Sequence, residues 1–440
     1  MRTKPTVKFS NVACRNNRHR SLVALDFWRR CSCLFAIFGL EAQGKGTAFE
    51  KSFAARMIKA IKENIMGTFP IMDADAHMCE PPNLWAERID QRFHDRAPRI
   101  VKDFNGRKGA FFVCEGLPPF PVSGAFAAGQ TFDKKFLESG LESAPAGGWD
   151  PAARLKDMDL DGVVAQILYT TVGFSLFGIQ EAEFQEACFR VYNDWLAEFC
   201  KYAPRRLGGL GLISLFDVER GTAELERCKK LGLKGGMIWA TPPEGDHYGA
   251  RQYDRFWAAA QELEMPLSLH ILTGARRSGR IGGAPDPAHM YVLVTTRPQE
   301  VQTSLMQFIF YGVLERFPGL KLVSAENDIS WVPPVLERAD RYYYAYQKAY
   351  EIALPMKPSD YFRRQVYATF IEDSLGLKVY RFIGADNFMW STDYPHRAAT
   401  WPHSQEVLAR DFAEVPEADR IKMARDNMAK LYGFEIPAAQ

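Results

Sequence analysis

Between residues 70 and 394 the chain alternates short β-rich runs with stretches of helical period, and this alternation constrains the fold more than any other feature. The runs are PIMDADAH (70–77), GVVAQILY (162–169), RLGGLGLISL (206–215), LKGGMIWA (233–240), MPLSLHIL (265–272), LKLVSAE (320–326), QVYATF (365–370) and NFMWSTDY (387–394). Between them lie amphipathic segments such as EAEFQEACFRVYNDWLAEFCK, RGTAELERCKKLG, YDRFWAAAQELE and QTSLMQFIFYGVLERFPG, the last closed by a Pro-Gly stop. Strand and helix in alternation predict a parallel sheet with helical crossovers. Eight such units predict an α/β (β/α)8 TIM-like barrel over residues 66–440, with insertions after the first strand (about 80–150) and the fifth (274–298). An open doubly wound sheet is the alternative, but neither GxGxxG nor GxxxxGK[ST] occurs.

Composition excludes several classes. With 440 residues, 47% hydrophobic and 25% charged, the chain can bury a large core. The net charge of +2 hides a basic first segment, since residues 1–40 hold eight Lys or Arg and one acid, Asp26. Beyond position 50 the cations are interspersed with acids, so no nucleic-acid surface is expected. CSCLFAIFGL (31–40) falls short of the roughly 20 apolar residues that span a bilayer, and no membrane association is expected. Residues 1–65 read as a poorly ordered extension in preference to a cleaved targeting peptide. The eight cysteines are scattered without a CxxC pair, which fits reduced thiols in a cytoplasmic enzyme. The expected assembly is a homo-oligomer, a dimer.

The stretch IMDADAHMCEPP (71–82) places ionisable groups where a buried strand should read Val or Ile. Residues i and i+2 share a face, so Asp73, Asp75 and His77 all point into a barrel interior. Buried carboxylates need a cation or a proton, and a metal ion would serve. Mutual hydrogen bonding of Asp75 and His77 is the plainer alternative. Three other strands also end on polar residues: His270, Glu326 and Asp393. All stand at predicted C-terminal strand ends, where barrel enzymes assemble their sites. Mixed imidazole and carboxylate donors suit a divalent ion of the zinc, manganese or iron kind.

These motifs carry a resemblance. DADAHMCEPPNLW at the first strand, LH at the fifth, VSAENDISWVPPVLERAD after the sixth, and TFIEDSLGL with MWSTDYPHRAATWPHS at the seventh and eighth occur in this order. Over about residues 70–435 the pattern resembles the amidohydrolase-related proteins of the metal-dependent hydrolase superfamily, in the branch that includes aminocarboxymuconate-semialdehyde decarboxylase. The resemblance implies one divalent ion, zinc first, with manganese or iron as alternatives, held by Asp75, His77, His270 and Asp393. Two departures stand out. Asp75 replaces the first histidine of the branch's HxH pair, and Glu326 replaces a proton-handling histidine. Glu-bearing relatives look more like hydrolases of meta-cleavage products, so Glu326 is expected as a metal ligand or a general base.

The expected catalytic set is therefore Asp393, Glu326 and His270, with Asp75, His77, His270, Asp393 and Glu326 at the metal. His396 and Arg276 are the candidate substrate contacts, the latter on a loop that also carries Arg277 and Arg280. The main functional expectation is a metal-dependent hydrolase that cleaves a C–C or C–N bond of a small, aromatic-derived carboxylate by metal-activated water. A non-oxidative, metal-dependent decarboxylase is the alternative, and a non-catalytic binding barrel is the second alternative. Trp401 and His403 read as loop structure, and the aromatic-rich helix RADRYYYAYQKAY (338–350) as a packing surface against the barrel or another subunit.

Overall fold

The computed structural model describes residues 70–274 and 287–436, so the extension expected over 1–65 and the loop arginines Arg276, Arg277 and Arg280 lie outside the described residues. All eight expected strands form: β1 (Ile71–His77), β5 (Val163–Tyr169), β6 (Leu207–Leu212), β7 (Gly235–Ile238), β8 (Leu267–His270), β9 (Leu322–Ala325), β10 (Val366–Phe370) and β11 (Phe388–Trp390). They follow one another in a single sheet in chain order, each pair parallel. The loop after β11 brings the sheet's two ends together. Asp393 N donates to Asp75 O at 3.0 Å and His77 N donates to Tyr394 O at 2.6 Å. The result is a nearly closed barrel of the expected fold class.

Four of the eight strands, β6, β7, β8 and β11, end two to four residues earlier than their apolar runs, because the last residues turn into loops. Glu326 and Asp393 both adopt left-handed backbone conformations, with φ of 53° and 61°. Such values are unfavourable for residues with a Cβ and recur where a site needs an unusual side-chain direction.

Crossover helices start and stop on local signals. Asp150 accepts from Ala152 N and Ala153 N at 2.7 and 2.9 Å, Pro151 follows it, and Gly162 closes the helix Pro151–Asp161 at φ 78°. Asp217 and Gly232 bracket Val218–Leu231 in the same way. The long helix Ala182–Cys200 buries Phe184, Cys188, Tyr192 and Leu196.

The first insertion contains an antiparallel sheet absent from the sequence reading: β2 (Arg99–Phe104), β3 (Arg107–Val113) and β4 (Phe120–Pro121). Asn105 and Gly106, at φ 49° and 76°, make the two-residue turn between β2 and β3. That Asn-Gly pair was the available signal. The insertion returns to the barrel mouth, where Ala128 N donates to Pro395 O at 3.1 Å. The tyrosine-rich segment forms the helix Val332–Tyr346, but of its tyrosines only Tyr343 is buried within this chain. No helix among the described residues is long and apolar enough to cross a membrane.

Candidate metal centre and active site

The C-terminal strand ends bring five ionisable side chains together in two groups that share His77, with Asp75 and His270 in one and Glu326 and Asp393 in the other. Asp75 and His77 come from β1, His270 from the last position of β8, Glu326 from just beyond β9 and Asp393 from beyond β11. His77 Nε2 lies 3.4 Å from Asp75 Oδ1, 3.2 Å from Asp393 Oδ1 and 3.7 Å from Glu326 Oε2. His270 Nε2 lies 3.6 Å from Asp75 Oδ1 and 3.3 Å from Glu326 Oε2. Four tetrahedral donors at about 2.0–2.2 Å from a zinc-sized ion stand roughly 3.3–3.6 Å apart. The observed spacing therefore suits a shared cation.

Hydrogen bonding makes the same case atom by atom. His77 Nδ1 donates to Thr170 O at 2.8 Å, and His270 Nδ1 donates to Ile271 O at 2.9 Å. With those protons on Nδ1, both Nε2 lone pairs face the centre, the usual arrangement of metal-binding histidines. Asp75 Oδ2 accepts from Thr369 Oγ1 at 3.0 Å, which leaves Oδ1 pointing inward. Asp75 Oδ1, His77 Nε2 and His270 Nε2 are all buried and lack any hydrogen-bond partner. Three orphaned donor atoms on one point would be costly in an apolar interior, and a divalent ion satisfies all of them.

Electrostatics agree. Burial raises Glu326, and the Asp393 carboxylate beside it adds to the effect, so its pKa reaches about 8. Asp393 is pushed up to about 7 by burial and by Asp75, against the pull of His77. Burial would lower His270, but Asp75 and then Glu326 outweigh it and lift the imidazole to about 9. Burial also opposes ionisation of Asp75, yet His270 and His77 hold its carboxyl well below the usual range. Without a cation the cluster thus retains protons that a metal would displace.

The remaining expected residues fall differently. His396 joins the centre, stacked on His77 with ring centroids 4.0 Å apart. Its Nδ1 lies 2.7 Å from Asp393 Oδ1 and its Nε2 lies 2.9 Å from Thr171 Oγ1, so both ring nitrogens are engaged by the protein. Trp401 donates from Nε1 to Asp157 O at 3.1 Å, and His403 is exposed beside Glu406. Several contributors escaped the sequence reading. Thr369 accepts from Glu326 N at 2.8 Å while donating to Asp75, so one hydroxyl ties two of the clustered residues together. Phe174 packs 4.5 Å from the His270 ring and 5.6 Å from His77, forming a wall with Tyr169. Asp73 shares the inward face of β1 but is wholly committed to structure. It accepts from Asp75 N, Gln166 Nε2 and Thr392 N at 3.2, 2.8 and 2.9 Å, and from the Thr392 hydroxyl.

The amidohydrolase family model matches residues 73–434, well over half of the chain. The chain belongs to the amidohydrolase family. Among curated relatives, a gamma-resorcylate decarboxylase of Rhodococcus jostii is 28% identical over 302 residues, covering 64% of this chain and 87% of its own. A 5-carboxyvanillate decarboxylase from Sphingomonas paucimobilis is 27% identical, with a TM-score of 0.54 over 64% of this chain and 82% of that one. An amidohydrolase from Mycobacterium avium subsp. paratuberculosis superposes over 84% of this chain and 99% of its own, with a TM-score of 0.66 at 23% identity. That last likeness speaks for the fold. As an amidohydrolase-family protein the chain is an enzyme of hydrolase or carboxy-lyase type with a divalent-metal site. The relatives back the decarboxylase alternative better than the hydrolytic reading.

Proposed function

We propose that this amidohydrolase-family enzyme is a divalent-metal-dependent decarboxylase that removes the carboxyl group of a small aromatic acid without an oxidant. The observation that carries this reading is the convergence of the unpartnered atoms Asp75 Oδ1, His77 Nε2 and His270 Nε2 on one buried point. Its relatives named for aromatic-acid decarboxylation support the substrate class. Asp75, His77, His270 and Asp393 would hold the ion. Bound there, a divalent ion supplies a Lewis acid that anchors and polarises a substrate oxygen.

The chain's own groups do the rest. Phe174, packed over His270, would offer an aromatic face to a substrate ring and help keep water from the carboxylate as it leaves as neutral CO₂. The ring carbon keeps the electron pair of the broken C–C bond and needs a proton. Glu326 is the clustered acid most open to the mouth, its side chain 26% exposed. It would deliver that proton and be reprotonated from solvent. Asp393, as a ligand of the ion, would be ionised and is steadied by His396, whose Nδ1 lies 2.7 Å from its Oδ1.

Two carboxylates among the four donors, with Asp75 in place of a histidine, move the preference from zinc toward manganese or iron. A cytoplasmic setting fits the five described cysteines, all free and four of them buried. A homo-oligomer fits the exposed apolar side chains Tyr291, Val292 and Val294. The deciding experiment loads purified protein with manganese or zinc and assays hydroxylated benzoic acids for CO₂. Equimolar CO₂ and decarboxylated arene are expected. Turnover without CO₂ would sink this reading in favour of hydrolysis, and a protein that binds no divalent ion would leave the non-catalytic barrel.

A further inference from the structure

Glu80 stands three residues past His77 in the chain, fully buried, in none of the clusters that could hold a metal. Its Oε1 accepts from Thr171 N at 3.0 Å, from Gly173 N at 3.3 Å and from the Thr170 hydroxyl; its Oε2 accepts from Val172 N at 3.3 Å. Successive backbone N–H groups curl around one carboxylate as they do around bound anions. The wrap is tight enough that a Cβ on Gly173 would stand 2.1 Å from Thr170 Oγ1.

What the wrapped loop carries matters more than the wrap. Thr170 O accepts from His77 Nδ1 at 2.8 Å and so aims Nε2 at the centre. Thr171 Oγ1 meets His396 Nε2 at 2.9 Å, and the other nitrogen of that ring meets Asp393 Oδ1 at 2.7 Å. Phe174, at the end of the curl, lies over His270 and His77. One carboxylate therefore fixes the loop that orients two of the proposed ligands and the aromatic wall.

We propose that Glu80 is a positioning residue for the metal centre, setting the aim of His77 through Thr170 and of Asp393 through Thr171 and His396. The inference rests on the reading of these residues as metal ligands. Its burial and four donors make it more than a loop cap, because their loss is felt at the centre and not only in stability.

The test uses full-length protein with Glu80→Ala, Glu80→Gln and Gly173→Ala, scored for Mn²⁺ affinity by chelator competition and for amide hydrogen exchange at residues 171–173. Losing a partner that orients a metal ligand typically lowers metal affinity about 10- to 100-fold. Glu80→Ala is expected to fall in that range with faster exchange. Glu80→Gln keeps one oxygen for Thr170, Thr171 and Gly173, and is expected to lose less than about tenfold on the same scale. Mn²⁺ affinity within twofold of the parent in folded Glu80→Ala overturns the proposal. Should that variant not fold, unchanged affinity in both Glu80→Gln and Gly173→Ala overturns it equally. A parent protein that binds no divalent ion defeats the proposed function instead, and unchanged exchange at 171–173 would then defeat the anchoring role of Glu80 on its own.

Discussion

Asp73 and Asp75 stand two residues apart on the same face of β1, both buried, and their surroundings could hardly differ more. Asp73 accepts hydrogen bonds from Gln166, from both donors of Thr392 and from Asp75 N. Gln166 in turn accepts from buried Arg154 at 2.7 Å, and Arg154 also holds His77 O at 2.9 Å. This clasp joins β1, β5 and the loop after β11, and Asp73 itself lacks no partner. Asp75 has one oxygen satisfied by Thr369 and the other facing two imidazoles whose inward nitrogens also lack partners. Buried polar groups whose hydrogen bonds are complete hold a fold together; those left open and convergent await a ligand.

The contrast can be broken at either end, and the largest effect is expected at the open one. His77→Ala or His270→Ala should lower kcat/KM by several kcal/mol of transition-state stabilisation, on the order of 10³-fold or more, with loss of bound metal by elemental analysis. Asp73→Ala should show the opposite profile. Leaving the Gln166 and Thr392 donors without an acceptor should cost about 2–5 kcal/mol in denaturant unfolding, while the folded protein keeps its metal. If Asp73→Ala strips the metal as the histidine variants do, the division between clasp and centre fails.

A smaller effect is expected from pH on the metal-free protein. Glu326 and Asp393 have folded pKa values of about 8 and 7, above those of unfolded acids, and His270 has one of about 9, above that of a free imidazole. All three bind more protons folded than unfolded at neutral pH, so stability falls as pH rises. The two acids lose their contribution from roughly pH 4 up to their folded values, and His270 from roughly pH 6.5 to 9. Thermal melts between pH 6 and 9 should therefore slope downward without metal and flatten once manganese is bound. A flat metal-free profile would contradict the charge balance described for the centre. The smallest expected change is Phe174→Leu. Losing an aromatic stacking partner worth about 0.5–1.5 kcal/mol should raise KM several-fold with kcat nearly unchanged, read by steady-state kinetics.

Much of this was legible in residue order. Eight β-rich runs became eight strands, and the polar residues that interrupt their ends, Asp75, His77, His270, Glu326 and Asp393, fall in two groups joined by His77. The antiparallel sheet of the insertion was missed although Asn105-Gly106 announced its turn, because short half-exposed strands carry little apolar signal. Thr369, Thr171 and Phe174 were invisible as site residues for another reason. Threonine and phenylalanine are ordinary strand and loop residues, and nothing local marks the one that reaches an imidazole 225 positions away, as Thr171 reaches His396.

Local chemistry by itself determined the repeating strand–helix rhythm, the helix boundaries at residues such as Asp150 and Gly162, and the supply of imidazole and carboxylate at strand ends. Periodicity, capping and side-chain identity act over a few residues, so they can be read without coordinates. Which of two neighbouring aspartates has all its partners in the protein and which keeps an oxygen open, where Glu80 anchors its loop, and how Glu326 turns toward the mouth were decided by barrel closure. Closure sets register among segments hundreds of residues apart, and burial then assigns each polar atom a partner or leaves it open.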